Sequence, residues 1–206
     1  MNVEASTLVE FVNACHRLET EGLIRCSSGN MSCRIAEDQF MISMTRVWLG
    51  QITDEEVAVL RVSDGAHLSG PKPSSEWRIH QGIFQQRDDV SVVLHWHSAY
   101  ATIMACRNTM NVNYNVIPEI PYYIGPIGSV AYHLPGSEEL ADQIANRMKD
   151  HELVLMQNHG EVTVGTSYEE VVQRAVFFEL ACRIIVVGGE NIAPLSDDQT
   201  ETLTML

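Results

Sequence analysis

Positive charge is scarce in this chain. Thirteen Lys+Arg stand against 27 Asp+Glu in 206 residues, a formal net charge of −14. So acidic a surface repels phosphate backbones and anionic lipid headgroups, which argues against nucleic-acid and membrane partners. An anionic substrate must then meet a local positive site that overrides the global field. Lysine is rarest. Only Lys72 and Lys149 occur, neither in a recognisable nucleophile context, so no lysine Schiff base is expected. The five cysteines (Cys15, Cys26, Cys33, Cys106 and Cys182) are odd in number and include no CxxC pair. That is the pattern of free thiols in a reducing compartment, not of a disulfide framework. No apolar run approaches the ~20 residues of a membrane span. The N-terminal stretch has neither the basic nor the apolar region of a signal peptide. The expectation is a soluble, cytoplasmic protein.

What is present is ordinary globular material, 45% hydrophobic and 19% charged. The length favours one domain over 1–206, with a polar, loosely held tail at 191–206. Ser6 reads as the cap of an amphipathic helix carrying Leu8, Phe11, Val12, Cys15 and Leu18 at helical spacing. Strand patterns follow at 31–35, 40–43 and 58–62, with a hairpin turn at Asp64-Gly65. Ser75 reads as the cap of a helix bearing Ile79, His80, Ile83 and Phe84, and 90–97 as a strand. Ser98 and Ser137 read as further caps, and 111–132 as loops and short strands. Two more strands are expected at 152–157 and 161–164. Then Thr166-x-x-Glu169, a capping-box pattern, opens the longest helix, which stops at Gly188-Gly189. Several strand pairs lie too close in sequence for a helical crossover and must be antiparallel. The fold class is therefore α/β, a mixed sheet with helices on its faces.

The strongest chemical signal is Leu94-His95-Trp96-His97. Side chains at i and i+2 of a strand share a face, so His95 and His97 present two imidazoles side by side. The alternative is a polar sheet face or a pair of hydrogen-bonded core histidines. His159, on the turn Asn158-His159-Gly160 after an apolar strand, is a third imidazole able to converge at a sheet edge. Three histidines with one open position fit a catalytic zinc. Glu76, after Lys72-Pro73-Ser74-Ser75 at a helix start, is the fourth candidate. His16, His67, His80, His133 and His151 lack any partner pattern and read as surface or hydrogen-bonded histidines. The stripe Val171, Val172, Ala175, Phe178, Cys182 reads as core or subunit interface.

Four segments together resemble the class II aldolase/adducin family, and within it the aldolases acting on L-fuculose 1-phosphate. They are Ser28-Gly29-Asn30-Met31-Ser32, Lys72-Pro73-Ser74-Ser75-Glu76-Trp77-Arg78, His95-Trp96-His97 and Asn158-His159-Gly160. The resemblance implies a three-layer α/β/α domain with a mixed, largely antiparallel central sheet. It implies Zn²⁺, or another divalent transition metal, on His95, His97 and His159. Glu76 becomes the acid/base residue and a further metal contact, and Gly29, Asn30, Ser74 and Ser75 hold a phosphate. It also implies a homotetramer with active sites between subunits. The function implied is a lyase of the aldolase type, in which the metal stabilises the enediolate left when a small, phosphorylated ketose or sugar-acid is cleaved. The alternative is a metal-dependent decarboxylase of a keto-acid. A dehydratase, an epimerase and a non-catalytic adducin-like module fit less well.

Three departures from the family pattern stand out. Where the family's second phosphate loop reads Thr-Pro-Thr-Gly, this chain has Ser43-Met44-Thr45-Arg46. Thr45 and Arg46 are therefore expected at the anionic end of the substrate, Arg46 as a planar fork for phosphate or carboxylate; the alternative leaves Arg46 facing solvent. The family's C-terminal catalytic tyrosine has no counterpart, since no tyrosine follows Tyr168. For the tyrosine that reaches in from a neighbouring subunit, Tyr114 is the nearest candidate, with Tyr122 and Tyr123 open.

Overall fold

The computed structural model describes residues 3–206. The first helix, α1 (Ala5–Thr20), buries Phe11, Ala14, Cys15 and Leu18, the apolar face expected from its spacing. It begins before Ser6, with Glu4 at the cap position and no side-chain capping bond. Packing of the apolar face, not capping, sets this boundary. Two hairpin-linked strand pairs follow: β1 (Asn30–Ala36) with β2 (Gln39–Ser43), and β3 (Val57–Arg61) with β4 (His67–Ser69). Then come α2 (Trp77–Gln86), β5 (Val92–Trp96) and α3 (Ala99–Ala105). The cap position of α2 is taken by Glu76, one residue after the expected Ser75.

The stretch 111–132 contains a short helix, α4 (Glu119–Tyr123), as well as the strand β6 (Ile127–Val130). Pro118 and Pro121 hid that helix from a propensity reading, yet proline is tolerated in a helix's first turn. Next are α5 (Glu138–Arg147), β7 (Leu153–Met156), β8 (Glu161–Gly165) and α6 (Tyr168–Gly188). The cap of α6 is Ser167, one residue after the expected Thr166. Ser167 Oγ accepts from Glu170 N–H, while Glu170 accepts from the backbone N–H and hydroxyl of Thr166. Where a loose tail was expected, Ser196 and Gln199 form a capping box that opens α7 (Asp197–Thr204). Leu195 N–H anchors the approach to this helix on the Asn115 carbonyl.

The eight strands form one sheet in the order β4-β3-β2-β1-β5-β8-β7-β6. Every pairing is antiparallel except β6 with β7. Strand alternation sends Met31, Met41, Val92, Leu94 and Trp96 to one face, where they pack with Phe11, Leu18 and Phe178 of α1 and α6. The other face sends Ile42, Leu60, Val93, Val154 and Val162 against Ile79, Ile83, Leu140 and Ile144 of α2 and α5. Each fully buried Leu, Ile or Phe contributes about 1.5–3 kcal/mol to this sandwich. The expected α/β/α layering with a mixed, largely antiparallel sheet is therefore present. The α6 stripe of Val171, Val172, Ala175, Phe178 and Cys182 belongs to the core, not to an interface. All five cysteines are free, and among the described residues no helix is long and apolar enough to cross a membrane.

Candidate active site

Strand register builds the site. Asn30 of β1 lies opposite His95 of β5. Because Met31 points into the α1/α6 core, its neighbours Asn30 and Ser32 face α2. His95 shares that face with Val93. His97 follows β5, and His159 occupies the turn between β7 and β8. Asn158 enters this turn with φ +54°, a conformation Asn tolerates better than most residues. Gly160 leaves it beside Trp96; a Cβ there would lie 2.6 Å from both the Trp96 carbonyl oxygen and the His97 ring. Gly29, at φ +89°, likewise brings its backbone against the His95 carbonyl, 2.6 Å from where a Cβ would stand. No larger residue permits these close approaches.

The three imidazoles converge. Their ligand nitrogens fall within 4.8 Å of one another, and His95 Nε2 lies 3.0 Å from His97 Nε2. Two nitrogens bound to one tetrahedral ion at about 2.0–2.1 Å would lie roughly 3.3 Å apart, so the spacing suits a divalent transition metal. His95 Nδ1 lies 2.8 Å from the Glu161 carbonyl oxygen, which places the ring proton on Nδ1 and leaves Nε2 as a lone pair aimed at the cluster. Glu76 completes the group, with Oε2 3.1 Å from His95 Nε2 and Oε1 3.2 Å from His159 Nε2. Glu76 Oε1 and His159 Nδ1 are buried without an aligned hydrogen-bond partner. Four Lewis bases converge on one point, the donor set a divalent metal would satisfy.

The protonation states follow from this crowding. Burial alone would raise the Glu76 carboxyl, but His95 and His159 outweigh it and hold Glu76 well below the usual carboxylate range. Burial disfavours the charged form of His95, yet the Glu76 carboxylate more than offsets this and raises its pKa. Burial, reinforced by the neighbouring imidazoles of His95 and His159, lowers His97 to about 3.

Beside the cluster opens a cavity of about 600 Å³ lined by Ser28, Gly29, Asn30, Thr45, Arg46, Lys72, Ser74, Ser75, Glu76 and His97. The structure thus brings together every residue expected at the anionic end of the substrate. A bridge between Met44 and Pro73, with Thr45 N–H donating to the Lys72 carbonyl, aligns the two loops that carry them. Ser74 Oγ accepts from Glu76 N–H and sets the start of α2. Arg46 holds φ +64°, a left-handed backbone that glycine adopts more readily. That conformation costs a non-glycine residue about 1–2 kcal/mol. Its side chain is exposed at the cavity mouth, and neither Arg46 nor Lys72 pairs with a carboxylate among the described residues.

Tyr114 is not brought to this chain's histidines. It is buried against Phe178 in the α1/α6 core, its hydroxyl without a partner. Apolar packing on the aromatic face of α6 won over exposure in a loop. The two tyrosines left open beside it, Tyr122 and Tyr123, are exposed, at 47% and 39%. His80, read only as a surface or hydrogen-bonded histidine, is fully buried under the site. Glu161, which the sequence did not single out, is fully buried too; burial raises its carboxyl, and it accepts from Ser98 N–H and Thr102 Oγ1.

The sequence pattern of the class II aldolase and adducin N-terminal domain matches residues 9–186. This chain belongs to that family. Among family members it is 27% identical over 180 residues to the 3-oxo-tetronate 4-phosphate decarboxylase of Haemophilus influenzae, covering 85% of both chains. It is also 27% identical over 198 residues to the L-fuculose phosphate aldolase of Escherichia coli, covering 92% of this chain and 88% of the relative. The crystal structure of YgbL from Escherichia coli, described as an aldolase/epimerase/decarboxylase, superposes with a TM-score of 0.91 at 25% identity, covering 97% and 98% of the two chains. An L-fuculose 1-phosphate aldolase structure shares the class II aldolase fold, with a TM-score of 0.88 at 23% identity and 98% and 96% coverage.

Proposed function

We propose that this chain is a zinc-dependent lyase that breaks a carbon–carbon bond beside the carbonyl of a small phosphorylated ketose or sugar-acid, in the manner of an aldolase. The observation that carries the reading is the convergence of His95, His97, His159 and Glu76 on a cavity rich in anion-binding groups. A Zn²⁺ ion held by the three histidines supplies Lewis-acid character toward the substrate oxygens when bound. The residues do the rest. Backbone and hydroxyl groups of Gly29, Asn30, Thr45, Ser74 and Ser75, with the Arg46 guanidinium, grip the anionic end and orient the carbonyl toward the histidines. In aldol cleavage Glu76, ionised and buried, takes the proton from the β-hydroxyl. As the bond breaks, its electron pair moves toward the carbonyl oxygen and an aldehyde leaves. Glu76 then returns a proton to the carbon.

A second reading, decarboxylation of a phosphorylated keto-acid, is favoured by one observation. Two unpaired cations, Arg46 and Lys72, line the same cavity in an otherwise acidic protein. A phosphate engages one and a carboxylate the other. Loss of CO₂ leaves the same electron pair on the same carbon, and Glu76 again donates the proton. The decarboxylase named among the relatives supports this second reading. The whole chain is read as one domain that works as a homotetramer in the cytoplasm, supported by its free thiols and by exposed Ile103, Leu180 and Val187 on α3 and α6.

One experiment separates the readings. Protein purified without chelator is analysed for zinc, then offered phosphorylated ketoses and, separately, 3-oxo-tetronate 4-phosphate. Aldehyde release supports the first reading and CO₂ release the second. Protein that takes up no zinc and releases neither product would refute both.

A further inference from the structure

The proposed chemistry does not account for a line of buried hydrogen bonds behind Glu76. Ser32 Oγ lies 2.7 Å from His80 Nδ1. His80 Nε2 lies 2.5 Å from Asn30 Oδ1. Asn30 Nδ2 donates to Glu76 Oε2 over 3.1 Å. Chemistry orients the whole line. A carboxylate accepts only, so Asn30 must turn its amide nitrogen toward Glu76 and its oxygen toward His80. That oxygen requires a donor, so His80 carries its proton on Nε2. Its Nδ1 is then a lone pair, and the Ser32 hydroxyl supplies the proton to it. Every donor points toward Glu76. Two periodicities bring the four together: Asn30 and Ser32 are two apart on a strand, while Glu76 and His80 are four apart on α2 and its cap.

We propose that His80 is a positioning residue. Its Nε2–H locks the Asn30 amide in the orientation that offers a donor to Glu76, and so aims the carboxylate at the substrate. Without that donor the Asn30 amide is free to flip, and a flipped amide presents its oxygen to the carboxylate. The two acceptors then repel, and Glu76 swings out of line. The inference rests on Glu76 being the proton carrier proposed above.

The test uses the full chain loaded with zinc. His80→Leu removes the donor and should lower kcat roughly 10- to 100-fold, the usual cost of losing an orienting partner, with KM nearly unchanged. His80→Gln places an amide N–H where Nε2–H was and should recover most of the loss, which a merely packed residue would not show. In a Glu76→Gln background, adding His80→Leu should cost nothing further. If His80→Leu fails to fold, His80→Gln and Ser32→Ala still read the line. ¹⁵N shifts of the His80 ring report the protonated nitrogen directly, and that nitrogen should be Nε2. Parental kcat in both His80 variants, an undiminished His80→Leu effect on top of Glu76→Gln, or a proton on Nδ1 would overturn the proposal. A fully active Glu76→Gln would instead refute the proton-carrier reading, and the ring shifts would still decide the direction of the line.

Discussion

Two polar networks in this protein differ in their balance of charge. At the β7 end of the sheet, Arg174 meets Glu152 at 3.0 Å and Glu170 at 2.6 Å, and also donates to the carbonyls of Tyr123 and Val164. Arg87 meets Asp89 at 2.6 Å and Glu152 at 2.9 Å, and donates to the Met148 carbonyl. Cations and anions alternate there, and the guanidinium donors are used. At the other network, His95, His97, His159 and Glu76 all offer lone pairs, and two buried atoms stay unpartnered. A balanced network closes on itself and holds structure together. An unbalanced one stores a demand for a cation, and that demand is the signature of a working site.

The comparison can be broken most strongly at Glu76. Glu76→Gln keeps shape but removes the base, and turnover should fall by roughly 10²–10⁴. Zinc content, measured by elemental analysis, should stay near that of the parent, since the three imidazoles remain. A variant with normal turnover would remove Glu76 from the chemistry.

The balanced network should fail differently. Arg174→Leu leaves Glu170 and Glu152 facing a side chain that cannot pair. Breaking such a pair costs about 3 kcal/mol, the low end for buried pairs because the carboxylates left behind are partly solvated, which at this chain length lowers Tm by roughly 10 °C. The fraction that folds should turn over at the parental rate. Unchanged melting would show that the network contributes no stability.

Arg46 probes the edge of the site. A hydrogen bond to a charged group contributes about 1.5–3 kcal/mol, so Arg46→Ala should reduce kcat/KM by roughly 10- to 100-fold, mainly through KM. Arg46→Lys should recover part of this, because the charge survives and the fork does not. Arg46→Gly, which relaxes the left-handed backbone, should be no better than Ala. Parental KM for Arg46→Ala would make the residue a solvent-facing cation.

The last effect, the smallest per unit of change, concerns pH and the neutral histidine beneath the site. Burial first, then the neighbouring His95 imidazole, lowers His80 to about 3 from an ordinary 6.5, with Glu76 opposing. Between those values the unfolded chain binds a proton that the folded chain refuses. Stability from this group is therefore complete above about pH 6.5 and is lost as pH falls toward about 3, by at most ~1.4 kcal/mol per pH unit. Denaturant unfolding across that window should show the slope, and His80→Gln should flatten it. An equal slope in both proteins would contradict a buried neutral His80.

Much of the molecule was legible along the chain. Apolar periodicity located α1, α6 and the strands β1 to β3, because burial of one face is a local pattern that repeats at 3.6 or 2 residues, and the Ser137 cap located α5. The His95-x-His97 spacing stated that two imidazoles share a strand face, whatever the rest of the fold. The motifs around Asn30, Glu76 and His159 carried the family resemblance. Boundaries slipped at Ser6, Ser75 and Thr166, where a hydroxyl promised a cap but tertiary packing chose a neighbouring residue. Other features depended on tertiary structure alone. Only the pairing of β1 with β5 sets Asn30 opposite His95, and only the packing of α2 on that face carries His80 beneath Glu76. Tyr114 had the composition of a reaching loop residue, and contact with Phe178 drew it into the core. The chain itself determined which residues can donate, accept or bind a metal, because those are properties of single side chains. Which of them meet was decided by strand register and helix docking, because hydrogen bonds and metal ligation act over about 3 Å while the partners lie dozens of residues apart.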